Sequence, residues 1–228
     1  MFSEAALDFL RKLKRNNKRE WFTPRKEIFE RELKAPMEKL VEEINGALLD
    51  FAPDYVTEPK RALFRIYRDT RFSNDKTPYK THVAAWFRRT GVKDTSAAGF
   101  YFHVSPDGVA IAGGVYQPTP EQLAAIRNHL AEHYERFRDL AAAKALTKLA
   151  EFEGETLSRV PKGFAKDHPA EDLLRAKQWG WHASHPPELA TSPKLRAEIV
   201  KSFKTLAPVV SFLNEAFEAK RRRAVFFD

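Results

Sequence analysis

Residues 65–82 read RIYRDTRFSNDKTPYKTH. Arg65, Arg68, Arg71, Lys76 and Lys80 put cations at short intervals, with Asp69 and Asp75 among them and Tyr67, Phe72 and Tyr79 interleaved. The planar fork of arginine matches a carboxylate or phosphate at two points, and lysine adds a compact charge. Tyrosine and histidine donate hydrogen bonds and move protons. Anion recognition, with proton transfer if a reaction follows, is therefore the chemistry this set offers. The competing reading is structural. Asp69 and Asp75 would pair with neighbouring Arg and Lys to hold a long loop, because ion-pair networks and active sites look alike in sequence.

Two strand-like runs flank this stretch, ALFRIY before it and HVAAWF after it. Side chains alternate between the faces of a strand. The alternation sets Phe64 and Ile66 against Arg65 and Tyr67. It sets Val83, Ala85 and Phe87 against His82, Ala84 and Trp86. In GFYFHVS it sets Phe100 and Phe102 against Tyr101 and His103. If the apolar faces share one core, Arg65, Tyr67, His82, Trp86, Tyr101 and His103 lie together on the second face, and the charged loop closes one end of a pocket. Gly113-Gly114 permits close approach of another backbone or a ligand.

Further elements must carry that face. Ser3 caps a helix to about Lys14, and Thr23-Pro24 opens a long helix that Pro36 kinks or divides. Helical pattern thus covers 3–51. Residues 62–116 follow strand grammar, with breaker-rich connections too short for a crossover helix, so the pairing is antiparallel. Thr119 and Gln122 have capping-box spacing around Pro120 and start helices over 119–153. A short helix at 168–176, a further strand at 177–184 and a last helix at 192–222, bent at Pro208, complete the reading. The fold class is α+β: one domain, 1–228, with a mainly antiparallel sheet of four to five strands and helices from both ends of the chain.

Composition narrows the function classes. The chain has 228 residues, 43% of them hydrophobic, and a formal net charge of +8. Residues 1–60 are balanced, whereas residues 61–100 hold nine basic against three acidic side chains. A local excess of this kind attracts anions. Without cysteine there is no disulfide, zinc-thiolate, redox motif or cysteine nucleophile. No stretch has the pattern of a signal peptide or a membrane span. The chain reads as soluble and cytoplasmic, with no membrane partner.

Three further motifs invite a function. HLAEH places His129 and His133 one helical turn apart with Glu132 between them. It has no identifiable third ligand, so no metal is assigned. HASH, His182 to His185, reads as a strand end. KRRR at 220–223 can meet nucleic acid, but it also ends a helix, where cations suit the dipole. The VFFD that follows is read as packing back through Phe226 and Phe227. No P-loop, G-x-G-x-x-G, G-x-S-x-G or EF-hand pattern is present.

RIYRDTRFSNDKTPYKTH resembles the signature of domain-of-unknown-function family 2461. The likeness extends to NNKREWF near the start, GFYFHVSPDGVAIAGGVYQP, PKGF and the HP before a short Leu-rich helix. It implies the same α+β single domain and brings with it no activity, cofactor or catalytic residue.

The first expectation is a pocket, with or without catalysis, for a phosphate- or carboxylate-bearing small molecule. Arg65, Tyr67, Arg68, Arg71, Lys76, Lys80 and Trp86 would bind it, and His82, His103 and Tyr101 would be the proton-transfer groups. A nucleic-acid-associated binding module is the second, and a protein-interaction module with a purely structural loop is the third. The cofactor and oligomeric state are left open.

Overall fold

A computed structural model describes residues 1–71, 73–90 and 97–225, the last seven of these as backbone alone. The helices are α1 (Glu4–Arg15), α2 (Arg19–Phe22), α3 (Lys26–Phe29), α4 (Ala35–Leu48), α5 (Pro59–Ala62), α6 (Pro120–Ala141), α7 (Lys144–Leu149), α8 (Glu171–Leu174), α9 (Glu188–Thr191) and α10 (Leu195–Val225). The strands are β1 (Val83–Phe87), β2 (Gly99–Ser105), β3 (Gly108–Val115), β4 (Glu151–Glu153) and β5 (Trp179–His185). They form one antiparallel sheet in the order β1-β2-β3-β5-β4, and with the helices make the protein α+β.

Two expected caps are present. The Ser3 hydroxyl accepts from the Ala6 N–H at the start of α1. Thr119 and Gln122 form the full capping box of α6. Thr23 differs from its expected role. It is already helical, because the run begins at α2 after an extended Lys18. From there the chain passes through a 3-10 turn at Thr23–Arg25, α3, and a π turn at Glu30–Lys34 into α4. The wide turn lets Ala35 N–H reach the Glu30 carbonyl, just before Pro36 withdraws a donor from the ladder.

Two other expectations are corrected. ALFRIY is not a strand. Pro59 opens a helical turn that ends at Ala62, and the chain then touches its neighbours at isolated bridges, Leu63 with Ala85 and Tyr67 with Tyr79. A bend at Thr81–His82 separates the two contacts. Residues 151–153, expected to end a helix, instead pair with β5, Phe152 opposite Trp181.

The chain divides into two compact units. The first comprises Met1–Phe87, Tyr101–Ile111 and Ser184–Lys201, and the second Arg88–Phe100, Ala112–Ala183 and Ser202–Asp228. In the first, Phe9, Phe22 and Phe29 pack on one another, and Phe87 stacks with Phe102. In the second, Phe100 stacks on Phe203, while Phe137 meets Trp181 and Phe212. These rings are all buried, and burial of this much apolar surface is the main stabilising force in each unit.

Candidate functional site

Four of the six residues expected on the second sheet face come together in the first unit. Trp86 comes from β1, Tyr101 and His103 from β2, and His82 from the bend before β1. The Tyr101 hydroxyl lies 3.1 Å from His103 Nδ1. The His82 and His103 rings are 5.0 Å apart. Lys80 sits beside them, its Nζ 4.9 Å from the Phe64 ring centre and donating to the Arg65 carbonyl at 3.1 Å.

Phe64 is the residue that alternation misassigned. It is 39% exposed, while Ile66 is buried. Its ring lies parallel to Trp86 at 6.4 Å and edge-on to Tyr101 at 6.0 Å. Only a regular strand has the period of two, and this segment meets β1 through single bonds such as Phe64 N–H to the Ala84 carbonyl. Tyr67 goes elsewhere, packing against Phe22 and Tyr79. Arg65 is exposed and also lines a groove of about 370 Å³ whose floor includes Phe29, Met37, Leu63 and Val83. No sequence signal marks that groove, because its walls come from separate stretches of chain.

The electrostatics of the cluster follow from burial. Burial, then the charge of Lys80, pushes the His82 imidazole below its ordinary value of 6.5, so it is neutral at pH 7. Burial pushes the Tyr101 phenol up to about 12, which keeps its proton in place. Lys80 is pushed down by burial and by Arg65. At neutral pH the cluster presents a cation over an aromatic ring, a neutral imidazole and a protonated phenol.

The remaining loop cations are occupied within the loop. Arg68 Nη1 bonds to Asp75 and Thr77. Arg71 grips Asp69 through Nε at 3.0 Å and Nη2 at 2.7 Å. Lys76 donates to the Thr70 carbonyl at 2.9 Å. Asn17 ties the far end down, donating to the Tyr79 carbonyl and accepting its N–H. The Thr77 N–H, then Arg68, lowers the Asp75 carboxyl to about 2, and Arg71 lowers Asp69 to about 2. Phe72 lies outside the described residues.

A pH dependence follows from these carboxyls. Both values lie below the unfolded carboxylate range of about 3.9, so their contribution is present above that pH and is lost as pH falls toward 2. Amide resonances of Thr77 and Arg71 should shift together between pH 4 and 2. Asp75→Asn should reproduce the Thr77 shift at neutral pH, and a Thr77 amide indifferent to both changes would contradict the network.

The other motifs resolve as follows. His129 Nε2 stands 3.5 Å from a Glu215 oxygen that Arg136 already holds, and the His133 ring lies 4.7 Å away. Among the described residues, no three His, Asp or Glu side chains converge as for a metal. HASH lies at the end of β5. The side chains of KRRR and the whole of Phe226 and Phe227 lie outside the described residues. No helix among those described is long and apolar enough to cross a membrane.

The fold is that of an α+β protein with a five-stranded antiparallel sheet, and Lys80, His82, Tyr101 and His103 lie together in its first unit. A family model described as conserved hypothetical protein, domain of unknown function 2461, matches residues 5–212, and the chain belongs to that family. No curated protein and no solved structure matches the chain.

Proposed function

We propose that the sheet face of the first unit binds a small molecule bearing a carboxylate or phosphate. The observation that carries this reading is the convergence of Lys80, His82, Tyr101 and His103 beside the exposed Phe64 ring. Lys80 and Arg65 supply positive charge, and Tyr101 and the two imidazoles supply hydrogen bonds. Phe64 and Trp86 offer apolar surface to the rest of the ligand. His82 is the base if a proton is transferred, because it is neutral at pH 7 whereas Tyr101 holds its proton. Arg68, Arg71 and Lys76 act indirectly in this reading, by holding the loop that presents Lys80.

A thermal-shift panel of dicarboxylates, sugar phosphates and nucleotides at fixed ionic strength tests it. A ligand at about 100 times its Kd stabilises by about 2.7 kcal/mol. One class of small anion should stabilise wild type more than it stabilises Lys80→Met. Its affinity should rise as pH falls through the bound-state His82 pKa toward the lowered free-state one, since the anion favours protonated His82, by about tenfold for each pH unit that binding adds. No response from any small anion, or a response in Lys80→Met equal to wild type for every anion in the panel, would overturn the assignment.

Single-stranded nucleic acid is the second reading, favoured by the parallel Phe64 and Trp86 rings beside Lys80. Affinity for oligonucleotides that falls steeply with salt would select it.

A further inference from the structure

We propose that the second unit holds a separate site for a small oxyanion, built on Arg127 of α6 and Arg175 at the end of α8. Arg127 is 8% exposed. Its Nη2 donates to the Ala176 carbonyl at 2.9 Å, and that carbonyl is its one polar partner among the described residues. Its Nε is shut away from solvent with no acceptor. Burial pushes the pKa of this guanidinium down, yet arginine does not give up its proton in proteins. A buried cation without a counter-charge is strongly unfavourable unless something supplies one.

The neighbourhood adds donors rather than acceptors. Arg175 precedes Ala176 directly, so its side chain leaves the backbone next to the carbonyl that Arg127 holds. Its Nε is also buried without an acceptor, and its Nη1 comes no nearer than 4.0 Å to Glu171. Two nearby acids are engaged elsewhere, Asp172 by Arg138 at 2.7 Å and Glu155 by Lys177 at 2.9 Å.

Two guanidinium N–H groups at the Ala176 carbonyl, both lacking acceptors, complement a compact group of anionic oxygens. Phosphate, sulfate and the carboxylate of a metabolite share that chemistry. The Arg175 side chain is 35% exposed and gives the ligand a route in from solvent. The burial of Arg127 limits the bound group to a small one.

The test is a titration of the full chain with inorganic phosphate, sulfate and acetate at constant ionic strength, read by thermal denaturation. Phosphate or sulfate should raise Tm saturably, by about 5 °C or more at a hundredfold excess over Kd. A response to acetate in place of phosphate and sulfate would identify the ligand as a carboxylate bearer. The response should persist in Lys80→Met, which separates this site from the sheet face, and vanish in Arg175→Gln. Without added anion, Arg127→Met should be at least as stable as wild type, because it removes an uncompensated buried charge. A wild type that ignores all three anions, or a response that survives Arg175→Gln, would overturn the proposal. So would an Arg127→Met variant that is markedly less stable in anion-free buffer, since the Ala176 bond alone would then account for the arginine.

Discussion

Gly114→Ala is expected to lower stability by about 4 kcal/mol, from a strained positive φ and from overpacking against a backbone that cannot easily retreat. Gly114 has φ +138°, in the region glycine tolerates and L side chains rarely adopt. A β-carbon there would lie 2.1 Å from the Trp179 carbonyl oxygen and 2.8 Å from the Gly180 α-carbon. β5 cannot move aside freely, because it is paired with β4 on its other edge. The close approach anticipated for Gly113-Gly114 is thus an approach of backbone at Gly114, whereas Gly113 faces Leu206 and Val210 side chains. Thermal denaturation should show Tm lower by roughly 8–16 °C for a chain of this size. A loss below about 1 kcal/mol would mean that β3 does not approach the Trp179 carbonyl of β5 this closely.

Asn214→Leu should have the next largest effect. Asn214 is 1% exposed. Its side-chain amide donates to the Ala98 carbonyl at 2.9 Å and accepts the Ala98 N–H at 3.0 Å. In this way α10 completes the backbone pairing of a residue that stands just before β2. Leucine is close in size but leaves both Ala98 groups buried and unpaired, at a cost of about 1–3 kcal/mol each. Urea denaturation should register a loss of about 3 kcal/mol in total. Asn214→Asp keeps the acceptor but loses the donor and buries a charge, so it should be no better tolerated. If both variants unfold at the wild-type midpoint, the amide pairing does not hold β2 to α10.

Much of the fold was legible because it depends on local chemistry. Ser3 and Thr119 cap their helices through their own side chains, and one of the breaker-rich connections, at Pro106-Asp107, is the turn of the β2–β3 hairpin. Trp86, Tyr101 and His103 share a face because β1 and β2 are regular and their period is reliable. Phe64 and Tyr67 broke the pattern because their segment is held at single bridges after the turn that Pro59 starts. Glu151–Glu153 became an edge strand because β5 offered it a partner, a long-range fact absent from the local pattern. In the charged loop, sequence identified the participants but not the pairs. Arg68 chose Asp75 rather than its neighbour Asp69, and Thr77 completed that choice. Arg127 gave no signal at all, since a basic residue on a helix is ordinarily solvated and its burial is decided by the chain around Ala176.

The most direct test of the sheet-face site is a side-chain NMR titration of His82 and His103, using the small anion whose stabilising effect Lys80→Met reduces most. Saturable shifts of both imidazoles with one Kd are expected, together with a rise in the His82 pKa and its loss in Lys80→Met. Unchanged histidine resonances at a ligand concentration that saturates the thermal shift would contradict it and place the ligand elsewhere on the protein.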